Sequence, residues 1–121
     1  MPPIRVAIVG CGRIADLHVL GYRDRDDVIL AAACDTRRNV AAARARAWGA
    51  PKIYTDYAAL LADREIDLVE LLVPHHLHAS MTIAACRAGK PVSVQKPMAL
   101  TTAEADAMIA AAAEEIGRAH V

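Results

Sequence analysis

Short apolar segments and segments with helical periodicity alternate along most of the chain. Runs rich in Val, Ile, Leu and Ala predict buried strands at 4–9, 28–34, 52–54, 67–73 and 91–94. Apolar residues that recur at helical spacing predict helices at 13–23, 37–48, 56–62, 76–88 and 101–113. Because strands that are apolar on both sides alternate with helices, the pattern predicts an α/β fold, a doubly wound parallel sheet of the Rossmann type.

Residues typical of helix ends support these boundaries. Asp56 stands at a helix N-cap, where a carboxylate accepts from free backbone N–H groups. Gly49 and Gly89 follow predicted helices, as C-cap glycines do. Thr101 and Glu104 have the spacing of a capping box.

A glycine-rich turn with the sequence GCGRIA follows the first predicted strand. In a dinucleotide-binding turn, Gly10 makes the tight bend and Gly12 lets the backbone approach the pyrophosphate. Ala15, as a small third residue, lets the helix pack closely on the strand. The backbone N–H groups of Arg13 and Ile14 then open the helix toward the phosphates. The alternative is an ordinary βα turn, but an acid after the second strand favours a cofactor site.

That acid is Asp35, near the offset of about 20 residues at which a carboxylate binds the adenosine ribose in such folds. The alternative is a carboxylate that only caps a turn or helix. A carboxylate here repels a 2′-phosphate, which favours NAD. Arg37 and Arg38 follow, and they either form a solvated helix start or bind that phosphate. We therefore expect NAD to be preferred and NADP to be tolerated.

Composition and charge exclude several other classes of function. The chain has 14 basic and 14 acidic residues, so it has no long-range attraction to nucleic acid or anionic membranes. Its three cysteines lack CxxC spacing, which argues against a zinc site or a disulfide framework. The sequence has no signal-peptide pattern and no membrane-length apolar run. We expect a cytoplasmic protein without nucleic-acid or membrane partners.

Two stretches in the second half go beyond what a dinucleotide-binding turn requires. They read VPHHLH at 73–78 and VQKPMALT at 94–101. Together with VGCGRIADLH at 9–18, they resemble the Gfo/Idh/MocA family (glucose–fructose oxidoreductase and inositol dehydrogenase) over almost the whole chain. The resemblance implies an NAD(P)-dependent oxidoreductase that acts on a sugar, a polyol or a related hydroxy or carbonyl compound. It also implies a second, mostly antiparallel domain for the substrate and a homo-oligomer.

The resemblance also implies further residues at the cofactor. They are Pro74, His75, His78, Gln95, Lys96 and Pro97. Two of them depart from the family pattern, since His75 replaces the usual Asn and Gln95 replaces the usual Glu. Gln95 keeps its hydrogen-bonding capacity toward the nicotinamide ribose but loses the charge, which affects the pH profile more than cofactor binding.

Lys96 is the candidate catalytic residue. It follows the carboxyl end of a predicted strand, where open α/β sheets bind ligands. An ammonium there can polarise the reacting oxygen and, with a lowered pKa, relay the proton that accompanies hydride transfer. Pro97 restricts the chain beside it. By position alone a solvated loop lysine is an equal alternative, and the family resemblance favours the catalytic role.

The histidines of the HHLH stretch suggest a metal site as another hypothesis. Imidazoles are good zinc ligands, but adjacent histidines at a strand-to-helix turn do not converge, and no nearby cysteine completes a ligand set. We expect no metal.

The substrate domain that the resemblance implies is not encoded in these 121 residues. Residues 115–121 (EIGRAHV) resemble one translated frame of a sequencing adapter, so we expect a domain at 1–114 and a non-native tail. A natural helix end is the alternative. We favour the cofactor domain of an oxidoreductase, and we expect this chain alone to bind cofactor without turnover. The alternatives are a standalone dinucleotide-binding regulatory or sensor module and a methyltransferase that uses S-adenosylmethionine, which the Lys-Pro motif disfavours.

Overall fold

The computed structural model describes most of the chain. The described positions are 3–12, 15, 19, 20, 22, 25–94, 103, 107, 109–111 and 113, with backbone only for His75 and Val94. The predicted boundary between a domain ending at 114 and a tail at 115–121 lies outside these positions, as does the capping box of Thr101 and Glu104.

The described residues form strands and helices in the predicted alternation. The strands are β1 (Ile4–Val9), β2 (Val28–Cys34), β3 (Lys52–Tyr54), β4 (Leu68–Leu71) and β5 (Val92–Val94). The helices are α1 (Arg38–Trp48), α2 (Tyr57–Leu61) and α3 (His78–Arg87), the last preceded by a 3-10 turn (His75–Leu77). The backbone is also helical at positions 15, 19, 20 and 22 and at 103, 107, 109–111 and 113. Within this part of the chain, none of the helices has the length and apolar character needed to cross a membrane.

The strands form one parallel sheet with the order β3-β2-β1-β4-β5. Val9 at the end of β1 pairs with Cys34 of β2 on one side and with Leu71 of β4 on the other. The carboxyl ends of these strands therefore lie side by side. The strand order reverses between β1 and β4, which is the switch point at which such sheets bind ligands. The predicted doubly wound fold is confirmed.

Both faces of the sheet are buried, and β1 shows why. Its side chains alternate between the two faces, as in any strand. Ala7 and Val9 pack in one cluster with Leu60 of α2. Val6 and Ile8 pack in a second cluster with the helical residues between β1 and β2. Residues that face opposite sides are thus equally apolar, which explains the continuous apolar runs in the sequence.

The helix ends follow the predicted chemistry where they are described. Gly49 ends α1 with a left-handed backbone (φ 75°), and its N–H donates to carbonyls of the last turn. The Asp56 carboxylate accepts from the Ala58 N–H at 3.1 Å and caps α2. Gly89 also has a positive φ of 79° after α3. These three predicted ends are confirmed.

The predicted strands at 4–9, 28–34 and 52–54 have the observed bounds, and the other boundaries of the labelled elements differ by at most two residues. The β4 strand is shorter than the predicted 67–73 and ends at Leu71. The chain then enters the 3-10 turn, where the Pro74 carbonyl oxygen accepts from the Leu77 N–H at 2.9 Å. This turn occupies the start of the predicted helix 76–88, so α3 begins at His78. Apolar periodicity does not distinguish a 3-10 turn from the first turn of a helix.

Charged side chains join the loops at the amino ends of the strands. Arg5 of β1 donates to the Asp67 carboxylate through its backbone N (2.9 Å) and its Nε (3.0 Å). Lys90 is 8% exposed, and its Nζ donates to the carbonyl oxygens of Asp63 (2.8 Å) and Ile66 (2.6 Å). Burial lowers the pKa of Lys90. These contacts hold the amino-terminal edge of the sheet together.

Candidate functional site

A cleft of about 510 Å³ opens at the carboxyl-terminal edge of the sheet. Among the described residues, its lining comes mainly from segments that follow three neighbouring strands. These segments are 10–12 after β1, 34–37 around the end of β2 and 72–74 after β4. The cleft therefore lies at the switch point, and its volume is in the range of small-molecule sites, roughly 300–1,000 Å³.

Gly10 is required by the protein's own packing. Its φ is +92°, a conformation that side chains disfavour. A Cβ at this position would lie 2.4 Å from the carbonyl oxygen of Leu72 and 3.3 Å from Cγ1 of Val73. The Gly10 N–H donates to the Cys34 carbonyl at 2.8 Å, which fixes the turn against β2. Only glycine allows β1 to turn this close to the chain that leaves β4.

Gly12 is different, because no atom of the described residues lies within 4 Å of the position that a Cβ would occupy. Its φ is also outside the left-handed region, since the described glycines with positive φ are Gly10, Gly49 and Gly89. Gly12 lines the cleft. Packing among the described residues therefore gives no reason for a glycine here, and within that part of the chain the side that a Cβ would occupy is open.

Ala15 occupies the third small position of the turn. It is fully buried and packs with Val6 and Ile8 of β1, as predicted for a residue that lets the helix approach the strand. The N–H of Ala15 donates to the Gly12 carbonyl at 3.1 Å. Arg13 and Ile14, predicted to present N–H groups to phosphates, lie outside the described residues.

Asp35 lies at the end of β2, lines the cleft and is 8% exposed. Its Oδ2 accepts from the Cys11 N–H at 3.0 Å, and its Oδ1 accepts from the Arg37 N–H at 2.9 Å. The Arg37 guanidinium donates to both oxygens, from Nε to Oδ1 at 3.0 Å and from Nη2 to Oδ2 at 3.1 Å. Burial raises the pKa of Asp35, but the hydrogen bonds from Arg37 and the Cys11 N–H outweigh it and lower the pKa to about 2.

Asp35 thus joins the glycine turn to the segment after β2. This is the turn-forming role considered as an alternative, and Asp35 fills it while also lining the cleft. Arg37 also lines the cleft, with its side chain 62% exposed. Arg38, the first residue of α1, is exposed and is not among the described residues that line the cleft.

Cys11 and Cys34 are buried thiols beneath the glycine turn. Cys11 Sγ donates to the Cys34 carbonyl at 3.4 Å. Burial raises the pKa of Cys11 to about 12 and that of Cys34 to about 11, so both stay protonated at neutral pH. Cys11 acts as a small packing residue within the turn.

The helices after β3 and β4 supply walls of the cleft that were not predicted from the sequence. They include Tyr57 of α2, Met81 of α3 and Leu77 of the 3-10 turn. The Tyr57 hydroxyl donates to the Met81 carbonyl at 2.8 Å and ties α2 to α3. One signal was available in the sequence: Tyr57 and Leu77 each follow the carboxyl end of a predicted strand.

The residues of the VPHHLH stretch do not all lie at the cleft. Pro74 lines the cleft, and the His75 side chain is outside the described part of the structure. His78 is fully buried, and its Nε2 lies 3.0 Å from the Val73 carbonyl oxygen. Because His78 contacts the Val73 carbonyl and does not itself line the cleft, it lies behind the wall that Val73 helps to form. Across the described side chains, no group of three His, Cys, Asp or Glu is arranged to hold a metal.

Gln95, Lys96 and Pro97 lie outside the described residues. Their assigned roles as cofactor and catalytic residues rest on the sequence motif, and the strand that leads to them is β5. Because β5 pairs in parallel with β4, its carboxyl end points to the same edge of the sheet as the cleft.

Comparisons with known proteins agree with this geometry. Residues 4–121 match the family model of Gfo/Idh/MocA proteins, an oxidoreductase family with an NAD-binding Rossmann fold. D-apiose dehydrogenase of Paraburkholderia graminis is 36% identical over 105 residues, which are 87% of this chain and 28% of that protein. Myo-inositol 2-dehydrogenase of Thermotoga maritima is 32% identical over 118 residues, which are 98% of this chain and 34% of that protein.

Solved structures show the same relationship. The WlbA dehydrogenase of Bordetella pertussis, crystallised with NADH and UDP-GlcNAcA, superposes with a TM-score of 0.87 and 32% identity. The match covers 93% of this chain and 35% of that chain. This chain therefore spans about a third of the length of the relatives it matches. The sequence match and the shared fold together establish that the chain belongs to the Gfo/Idh/MocA family of oxidoreductases.

Proposed function

We propose that this chain is the NAD(P)-binding domain of an oxidoreductase that transfers hydride between the nicotinamide and a sugar, polyol or related hydroxy or carbonyl substrate. The observation that carries the proposal is Gly12, a glycine that lines the cleft and that the packing of the described residues does not require. A backbone that a ligand must approach closely has this property. The relatives include D-apiose dehydrogenase and myo-inositol 2-dehydrogenase, and this supports the substrate class.

The glycine turn would hold the pyrophosphate of the cofactor. Gly10 bends the chain, and the open side of Gly12 leaves room for the phosphates. Arg13 and Ile14 would contribute their N–H groups on the strength of the sequence alone. Asp35 would receive the hydroxyls of the adenosine ribose, since it lines the cleft and its carboxyl, with a pKa of about 2, is ionised at neutral pH.

The opposite wall of the cleft would receive the nicotinamide half. Pro74 lines this wall, and His78 behind it contacts the Val73 carbonyl and so positions the end of the strand. His75, Gln95 and Pro97 would complete the contacts to the nicotinamide and its ribose. These three assignments are carried over from the family motif.

The bound cofactor supplies the hydride acceptor or donor. Lys96 would polarise the reacting oxygen and hold the proton that leaves or joins it. In the whole protein, Lys96→Ala should abolish most turnover while cofactor binding changes much less. Unchanged turnover would rule out this role.

A standalone regulatory or sensor module remains the alternative. The relatives named above are dehydrogenases, which favours the oxidoreductase interpretation. For the whole protein we further propose a homo-oligomer in the cytoplasm, with a small-molecule substrate and without nucleic-acid or membrane partners. Sedimentation of the whole protein with and without substrate tests the assembly.

Cofactor titration of this chain tests the proposal. Calorimetric titration with NAD should show binding to the native sequence and none to Gly12→Val, while both give the same circular dichroism spectrum. Ala47→Val, on an exposed position of α1, is the matched control, because it adds similar bulk away from the cleft. A folded native chain that binds neither NAD nor NADP, or a Gly12→Val variant that binds equally well, contradicts the proposal.

A further inference from the structure

The Asp35 carboxylate is fully engaged by the described residues around it. It accepts from the Cys11 N–H, the Arg37 N–H and two guanidinium nitrogens of Arg37. An ionised carboxylate offers about four acceptor positions. A further donor can therefore reach Asp35 only if one of these four is released.

The four donors differ in how readily they can leave. The two backbone N–H groups belong to the turns that follow β1 and β2, so their hydrogen bonds are part of the fold. The guanidinium belongs to a side chain that is 62% exposed, so it can turn into solvent without a change in the backbone, whereas the Asp35 side chain is only 7% exposed. The guanidinium occupies one position on each carboxylate oxygen. A ribose diol has two neighbouring hydroxyl donors, so it needs one such acceptor position on each carboxylate oxygen.

We propose that Arg37 is an internal competitor for the ribose site and thereby a determinant of cofactor specificity. NAD must displace the guanidinium from Asp35 before its ribose diol binds. The 2′-phosphate of NADP instead gains from the same movement, because the released guanidinium neutralises it and screens it from Asp35. Arg37 therefore weakens NAD binding and strengthens NADP binding. This inference rests on the proposed function of the cleft.

Arg37→Met is the appropriate variant, because it keeps a long aliphatic side chain and removes the guanidinium. The NAD dissociation constant should fall at least about twofold, because the guanidinium pairs with a buried carboxylate and its release costs no less than that of an exposed ion pair. The NADP dissociation constant should rise about tenfold or more, as expected for a lost hydrogen bond between charged groups. Arg64→Met removes the same charge from an exposed loop at the opposite edge of the sheet and should change neither constant.

The measurement is calorimetric titration of the native chain and both variants with NAD and with NADP. Weaker or unchanged NAD binding by Arg37→Met overturns the competition. A native chain that binds neither cofactor instead contradicts the proposed function, and the inference with it. Nuclear magnetic resonance adds a readout without cofactor: the pKa of Asp35 should rise above about 2 in Arg37→Met and stay near that value in Arg64→Met. An unshifted pKa in Arg37→Met shows that the ion pair does not form.

Discussion

Three glycine-to-alanine substitutions separate what the fold requires from what the ligand requires. Gly10 has both a positive φ and a close neighbour, with the Leu72 carbonyl oxygen 2.4 Å from an added Cβ. Gly49 has a positive φ of 75°, and no atom of the described residues lies within 4 Å of an added Cβ. Gly12 has neither a positive φ nor a described atom within 4 Å of an added Cβ. Comparing the three variants therefore isolates the cost of the backbone conformation, the cost of the clash and the demand of the cofactor.

The expected free energies of unfolding follow from these differences. Gly49→Ala should destabilise the fold by about 1 kcal/mol, the cost of a side chain in the left-handed region. Gly10→Ala adds an overpacking cost of about 1–3 kcal/mol, because the backbone at Leu72 must move. Gly12→Ala should stabilise the fold by about 0.4–1 kcal/mol, because it restricts only the unfolded chain. The same Gly12→Ala variant should bind NAD more weakly than the native chain.

Urea unfolding followed by circular dichroism measures these differences, and cofactor titration of the same samples gives the binding change. The order of stability should be Gly12→Ala above native, native above Gly49→Ala, and Gly49→Ala above Gly10→Ala. If Gly10→Ala lowers the free energy of unfolding no more than Gly49→Ala does, the glycine turn does not approach Leu72 as closely as described. If Gly12→Ala destabilises the fold, the position of an added Cβ at residue 12 is not open space.

Three other measurements test further parts of the structure. Because the folded pKa of Asp35 is about 2, below its ordinary 3.8, its contribution of about 2 kcal/mol should be present above pH 4 and lost as the pH falls toward 2. Asp35→Asn should flatten this part of the profile of stability against pH, and an equally steep profile refutes the contribution. Lys90→Met should cost about 1–3 kcal/mol in urea unfolding, because the carbonyls of Asp63 and Ile66 lose their ammonium donor; a neutral result means that they find other donors. Cys11 should react with iodoacetamide only in the unfolded chain at neutral pH, and rapid labelling of the native chain, located by mass spectrometry, contradicts its burial.

Local chemistry made much of the fold predictable. The apolar runs predicted the parallel sheet, because a strand covered on both faces has no polar side. The helix ends at Gly49 and Asp56 could be predicted because each depends on one residue and its immediate neighbours. The 3-10 turn before α3 could not, because its hydrogen bond from Leu77 to Pro74 differs from a helical one by a single residue in span.

Part of the lining of the cleft could be predicted from the sequence, and its contacts could not. The motif placed Gly10, Gly12 and Asp35 at the cleft, since all three follow strand ends in a known order. It could not show that Gly10 packs on Leu72, because that contact joins β1 to β4 and depends on the sheet order. Nor could it show that Arg37 folds back onto Asp35, which depends on the rotamer of one exposed side chain.

The polar ties of Arg5 and Lys90 have a practical consequence for redesign. They join loops at the amino ends of the strands, whereas the cleft is lined by segments at the carboxyl ends. Loops of the cleft can therefore be exchanged without cutting these ties, as long as Gly10 and its approach to Leu72 are kept. A library that varies residue 36 and residue 37 would sample cofactor preference while the ties of Arg5 and Lys90 stay in place.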